Sequence, residues 1–317
     1  MSKVRVGVVG VGHLGYHHAR NYAAMDHAIL VGVVDADESR AANVASDFHA
    51  QPFGTVAELV RAGVDAVSVA TPTTTHHVIT VELLEAGVDV LVEKPIAGSA
   101  ERGAEMVDVA ARRNRILQVG HIERFNGAVQ ALFQAVRAPK FIECHRLSPY
   151  PSRGDDVSVV LDLMIHDLEI VLALDGTEAV SVDAVGVPVF SPFEDIANAR
   201  IRFASGCVAN LTCSRVSLEG MRKIRIFEAN AYVSTDYSEQ QVLVYRKKPG
   251  PLPAGASPME AIAVEALPVQ REEPLKRELA AFVACVQSRE RPVVSGEDGL
   301  AALRLAQQVI QSIREHT

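Results

Sequence analysis

Residues 3–35 constrain this chain more than any other stretch. The apolar run KVRVGVVG (3–10) ends in Gly10-Val-Gly12-His13-Leu14-Gly15, a helical pattern follows over 14–25, and the next apolar run, ILVGVVD (29–35), closes on Asp35, twenty residues after Gly15. A glycine-rich turn between a buried strand and a helix lets a diphosphate approach the backbone at the helix N-terminus. An acidic residue ending the next strand reaches the adenosine ribose hydroxyls. Together these features predict a dinucleotide site built from Gly10, Gly12, His13, Leu14, Gly15 and Asp35. Asp35 is followed by Ala36, so the position repels a 2′-phosphate and bonds a free 2′-hydroxyl, and NAD is favoured over NADP. Arg40 is placed either to meet such a phosphate or to face solvent.

The alternation continues. DAVSVAT (65–71), VDVLVEK (88–94) and RILQVGH (115–121) read as strands buried on both faces, with helical stretches near 14–25, 37–48, 75–86 and 99–113, several opened by cap-type residues such as Asp37, Thr75 and Ser99. The order predicts an α/β Rossmann domain over 1–120, a doubly wound parallel sheet. From 121 the pattern changes to a helix (125–137), a strand (139–147) and a helix (159–172). Strands follow near 179–190, 196–204, 207–216, 221–228, 231–236 and 240–246, then helices near 274–288 and 297–315. Strands in sequence without helices between them predict an α+β domain over 121–317 with an open, mostly antiparallel sheet. PGPLPAGASP (249–258) reads as a surface loop inside it.

Composition serves mainly to exclude. A formal net charge of −8 over 317 residues supplies no basic field for a nucleic-acid backbone. No apolar run reaches the roughly 18 residues of a membrane span, and the chain starts directly in a strand, so neither a membrane nor a secretory route is expected and the cytoplasm is. Cys144, Cys207, Cys213 and Cys285 lack a C-x-x-C spacing and read as free thiols. No two of His76, His77, His121, His145 and His166 have a ligand spacing backed by a cysteine or carboxylate, so no metal is expected.

Two loops fall at C-terminal strand ends, where open α/β sheets bind ligands: Thr71-Pro72 through His76-His77, and Glu93-Lys94-Pro95. Farther on, VVLDLMIHDLEIVL (159–172) is apolar almost all round yet spaces Asp162, His166 and Glu169 by four and three, which stacks them on one helical face. Buried polar groups need partners, so a stripe like this is either a braced ion pair or a site.

In this order and spacing, the G-x-G-x-x-G, the T-P-x-x-x-H at 71–76, the E-K-P at 93–95 and the D-x-x-x-H at 162–166 resemble the Gfo/Idh/MocA oxidoreductases. The resemblance covers essentially the whole chain, including 221–237 and 273–310, with one departure at Gly127, where many members carry proline. It implies a catalytic group of Lys94, Asp162 and His166. It also implies a cofactor surface that adds Thr71, Pro72, His76, Glu93, Lys94 and His121. Oxidising a secondary alcohol needs a base and a positive group beside the hydroxyl. We assign His166 as the base, Lys94 as the polarising group and Asp162 as the carboxylate that orients the imidazole and raises its pKa.

The resemblance further implies a sugar or polyol substrate. VGHIERFN (119–126) and DVSVVLDLMIHDLEIVL (156–172) are most similar to the family's bacterial nucleotide-sugar branch, which implies the 3-hydroxyl of a UDP-N-acetylhexosamine. Arg146, Tyr150 and Arg153 are candidate contacts for its diphosphate. An inositol or free-sugar dehydrogenase is the alternative within enzymes, and an NAD-binding regulatory protein the alternative outside them. Related proteins also imply a homodimer or homotetramer, with the last helix packed back on the nucleotide domain.

Overall fold

Valine-rich runs become strands because β-branched side chains pack well on a pleated surface covered from both sides. In the computed structural model, which describes residues 3–150, 157–248, 250 and 257–316, they form β1 (Val4–Val9), β2 (Ala28–Val34), β4 (Ala66–Val69), β5 (Asp89–Glu93) and β6 (Leu117–Gly120). A short strand that the sequence pattern did not announce, β3 (Gln51–Phe53), completes a parallel sheet of order β3-β2-β1-β4-β5-β6. Its crossover helices are α1 (His13–Ala23), α2 (Glu38–Asp47), α3 (Val56–Arg61), α4 (Thr73–Glu85) and α5 (Ala100–Arg113). Asp37 and Ser99 cap α2 and α5 by accepting from the Arg40 and Arg102 N–H groups. Helix α4 starts two residues earlier than Thr75 suggested, because Pro72 presets the entry, and Thr75 Oγ1 instead lies 2.8 Å from both Thr71 Oγ1 and the Pro72 carbonyl.

The remaining sheet has eight strands in the order β14-β13-β12-β11-β7-β10-β9-β8. They are β7 (Phe141–Leu147), β8 (Ala179–Val187), β9 (Ile196–Phe203), β10 (Val208–Ser214), β11 (Met221–Phe227), β12 (Ala231–Asp236), β13 (Gln241–Lys247) and β14 (Ile262–Ala266). All pairs are antiparallel except β7 with β10. One face is covered by α6 (Gly127–Ala135), a π-helical turn (Val160–Met164) and α7 (Ile165–Asp175). Alternation along β9 buries Ala197, Ala199, Ile201 and Phe203 on one face of the sheet. Gly127 stands where it does because a Cβ there would lie 2.1 Å from the Gln270 carbonyl oxygen.

Two helices remain, α8 (Pro274–Ser288) and α9 (Gly296–Glu315). The chain divides into one unit of Met1–Phe125 with Glu273–Leu303 and another of Asn126–Glu272 with Arg304–Thr317. The boundary expected at 120 thus moves, and the second unit is not one continuous stretch. Helix α8 accounts for the difference: Leu275, Leu279, Phe282 and Val283 form an apolar stripe that joins Val4, Val6, Val8 and Tyr22 in the first unit's core. Among the described residues no helix is long and apolar enough to cross a membrane.

Candidate active site

In the first unit, a cleft of about 660 Å³ is lined by Gly10, Gly12, Asp35, Arg40, Thr55 and Thr71 among others. What glycine leaves out shapes it. A Cβ on Gly15 would stand 1.8 Å from the Gly10 carbonyl oxygen, and Gly10 has φ +83° with Thr71 Cγ2 2.7 Å from where its own Cβ would be. Neither position admits a larger residue. A Cβ on Gly12 would meet nothing within 4 Å, so this backbone is left bare beside open space. Gly12 also N-caps α1 with no side-chain hydrogen bond, and no acid follows in the first turn. The first N–H groups of α1, at the exposed His13 and Leu14, therefore have no intrahelical or side-chain claim on them and favour an anion.

Asp35 is fixed at the cleft by three donors. Its Oδ2 accepts from Val11 N–H at 2.8 Å, and its Oδ1 from Asp37 N–H at 2.9 Å and Arg40 Nη1 at 3.1 Å. Arg40 also reaches the Asp37 carboxylate at 3.4 Å, so it braces the acids rather than facing solvent freely. Bare glycine backbone, helix N-terminus and placed carboxylate fit the adenosine diphosphate half of a dinucleotide. Gly54, Thr55 and Val56 line the same cleft and went unread in the sequence. Their signal is Thr55-x-x-Glu58, a capping box in which Glu58 N–H donates to Thr55 Oγ1 and Glu58 Oε2 accepts from Thr55 N–H, both at 3.2 Å.

At the next strand ends three expected contacts change character. His76 is 1% exposed, with Nδ1 2.9 Å from the Pro95 carbonyl oxygen and Nε2 2.9 Å from that of Thr71. Burial lowers its pKa while the two carbonyls oppose the shift. It ties the Thr71-Pro72 loop to Glu93-Lys94-Pro95 and has no surface for a cofactor. His121 is equally buried, and burial followed by the charges of Lys94 and Arg124 pushes its pKa down to about 3, so the ring is neutral. Glu93 is buried, with Oε1 3.0 Å from His18 Nε2 and Oε2 accepting from Lys94 N–H at 3.3 Å. Burial leaves His76 and His121 little surface for a ligand, whereas the Glu93 side chain keeps 10% of its own. Lys94 itself is half-buried.

In the second unit, Asp162 lies in the π-helical turn and His166 one residue into α7; both are half-buried, whereas Glu169 is buried. A widened turn of this kind is rare and recurs at functional sites. Arg146 overturns its expected role. Alternation along β7 points it inward, where it is 3% exposed and binds Asp167 bidentately, Nε to Oδ2 at 2.8 Å and Nη2 to Oδ1 at 2.9 Å. A guanidinium committed this way holds no substrate phosphate. Tyr150 is 37% exposed and stands edge-on to Phe190 with ring centroids 5.3 Å apart. Arg153 lies outside the described residues. Among the described residues no three of His, Cys, Asp and Glu converge to hold a metal ion.

Comparison with known proteins adds identity to this geometry. Residues 4–121 match the model of the Gfo/Idh/MocA oxidoreductase family, NAD-binding Rossmann fold, and residues 128–233 match the Gfo/Idh/MocA C-terminal domain. The chain is 38% identical to UDP-N-acetylglucosamine 3-dehydrogenase of Acidithiobacillus ferrooxidans, over 98% of this chain and 96% of that one. A solved structure of that enzyme superposes with a TM-score of 0.92 at 36% identity, covering 99% of both chains. Myo-inositol 2-dehydrogenase of Thermotoga maritima is 28% identical over 98% of this chain and 97% of its own.

Proposed function

We propose, from the premise that this chain belongs to the Gfo/Idh/MocA oxidoreductase family, that it is a dehydrogenase oxidising the 3-hydroxyl of a UDP-N-acetylhexosamine. The observation that carries the substrate is full-length likeness, in sequence and in structure, to an enzyme of that activity, against 28% identity to an inositol dehydrogenase. Bound NAD supplies the hydride acceptor. The chain's own part begins with Gly12 and the N-terminus of α1, which receive the cofactor diphosphate, and Asp35, which takes the ribose hydroxyls and disfavours a 2′-phosphate, so that NAD is preferred to NADP. His166 removes the hydroxyl proton, Lys94 polarises the oxygen and stabilises negative charge developing on it, and Asp162 orients the imidazole. With Arg146 committed to Asp167, Tyr150 and Arg153 remain as contacts for the substrate diphosphate.

Free thiols at Cys144, Cys207, Cys213 and Cys285 suit a reducing cytoplasm. The uncovered face of the second unit's sheet is read as the surface where copies of the chain meet, as a homodimer or homotetramer. The test is NADH formation from NAD with UDP-N-acetylglucosamine, using a hydrazine trap to draw off the ketone and myo-inositol and glucose in parallel. Absorbance rising only with the nucleotide sugar is expected. Turnover with myo-inositol or glucose alone, or with none of the three, would reject the assignment.

A further inference from the structure

On the face of the first sheet that α1 and α8 cover lies a polar cluster the reaction above does not use. Strand alternation puts Leu91 and Glu93 of β5, with their register partners Gln118 and Gly120 of β6, on that face. Leu91 packs in the core that contains Tyr22 of α1 and Leu275, Leu279 and Phe282 of α8. The Glu93 carboxylate fills the room above Gly120, where a Cβ would lie 2.8 Å from it, and meets His18 Nε2. Glu278 of α8 is 0% exposed. Its backbone carbonyl accepts from Gln118 Nε2 at 3.4 Å, and among the described residues neither of its carboxylate oxygens has a hydrogen-bond partner.

We propose that Glu278 is a positioning residue for Lys94: packed near the Glu93–His18 pair, it leaves the Glu93 carboxylate free to hold the peptide of Lys94 at the end of β5. A buried carboxyl group with no partner is tolerated only in its uncharged form. Burial first, and then the charge of Glu93, keep Glu278 protonated well above the usual carboxylate range. The elements around it contribute His18 and Tyr22 from α1, Glu93 from β5, and Glu123 and Arg124 from the turn after β6. The one charged residue of β1, Arg5, is occupied with Asp65 and the Gly63 and Ala62 carbonyls. Of these groups Glu93 adds its charge to the effect of burial on Glu278. Once Glu278 ionises, its charge repels the Glu93 carboxylate in a buried site and weakens the hold of Glu93 on His18 and on the Lys94 N–H. The inference rests on Lys94 being the group that handles the substrate hydroxyl.

The test follows kcat and melting temperature of the whole enzyme between about pH 6 and 10, with NAD and UDP-N-acetylglucosamine, for wild type, Glu278→Gln and Glu278→Asp. The folded-state pKa of Glu278 is raised, so its contribution to stability is full below the unfolded value and lost as pH rises toward the folded one. Wild type should therefore lose melting temperature with rising pH relative to the glutamine variant. Its alkaline fall in kcat should begin about one pH unit earlier, with KM for NAD unmoved, and the aspartate variant should keep that early limb. Coincident kcat limbs for wild type and Glu278→Gln, with or without a difference in melting, would reduce Glu278 to a buried structural acid and overturn the proposal. Turnover surviving in Lys94→Met sinks the reading of Lys94 instead, and is told apart because it leaves any difference between the Glu278 limbs intact.

Discussion

A buried guanidinium has to arrive with its counter-charge, and among the described residues Arg146–Asp167 and Arg215–Asp195 do so, all four side chains at most 5% exposed. Removing one partner strands the other. Arg146→Met should cost about 3–5 kcal/mol of stability by denaturant melting, and adding Asp167→Leu should restore most of it; a single variant as stable as wild type would contradict the pairing. Asp195 gives a pH prediction. Burial alone would raise its pKa, but N–H donors at Ser191, Phe190 and Val189 and the Arg215 guanidinium outweigh it and hold the carboxyl well below the usual range. A depressed folded-state value means stability present above the unfolded pKa, about 3.9, and lost as pH falls below it. Asp195→Asn should flatten that acid limb while lowering stability at neutral pH. His166→Ala belongs to a different class of change. It should lower kcat by about 10²–10⁴-fold with NAD affinity unchanged by calorimetry, and turnover that survives would displace His166 as the base.

Elements were legible where periodicity and caps agreed and illegible where the backbone left its regular period. The five Val-rich strands, Asp37 and Ser99 as caps, and the run of strands after 179 all stood in the pattern. The segment from β3 to α3 did not: three strand residues and a six-residue helix are too short for any periodicity, and only the Thr55–Glu58 box marked them. The π-helical turn before α7 was hidden because an i→i+5 turn keeps residues four apart nearly in line, so Asp162 and His166 read as neighbours in either geometry. Side-chain direction on β7 is written in its alternation, which turns Arg146 inward and away from the diphosphate role that the family resemblance implies for it. The element most exposed to a single change is the junction of β1 and α1. Gly15→Ala drives a methyl into the Gly10 carbonyl oxygen and must displace the turn that receives the diphosphate. NAD affinity should fall by about tenfold or more, or about 1.4 kcal/mol, while far-ultraviolet circular dichroism keeps its wild-type shape; an unchanged Kd would mean that the turn relaxes without cost.

At the scale of the molecule, chain order and spatial order part company. The first unit is left at Phe125 and regained at Glu273, and α9 runs from it into the second unit after Leu303. Ending the chain at 272 would thus strip α8 from a core it shares with β1, exposing Val4, Val6 and Val8 as well as deleting Leu275, Leu279 and Phe282. Each lost large apolar side chain is worth about 2–5 kcal/mol when truncated, so the shortened protein should fail to bind NAD although every motif of residues 1–121 is intact. Assembly is argued from the opposite kind of surface. Phe141, Phe227, Tyr232 and Tyr245 run as a ladder across four strands, with successive ring centroids 5.7, 4.8 and 5.0 Å apart, on the sheet face that α6 and α7 leave uncovered. Stacked aromatics gain most when water is removed from both sides, so the ladder is where a second copy would bury the most apolar area. Sedimentation should give a multiple of the 34.1 kDa chain mass, and Tyr232→Asp with Tyr245→Asp should bring it to one chain without loss of NAD binding, since the cofactor cleft lies wholly in the first unit. A wild-type protein already at 34.1 kDa would leave that face to solvent, and the aromatic ladder would then be explained by strand pairing within the sheet alone.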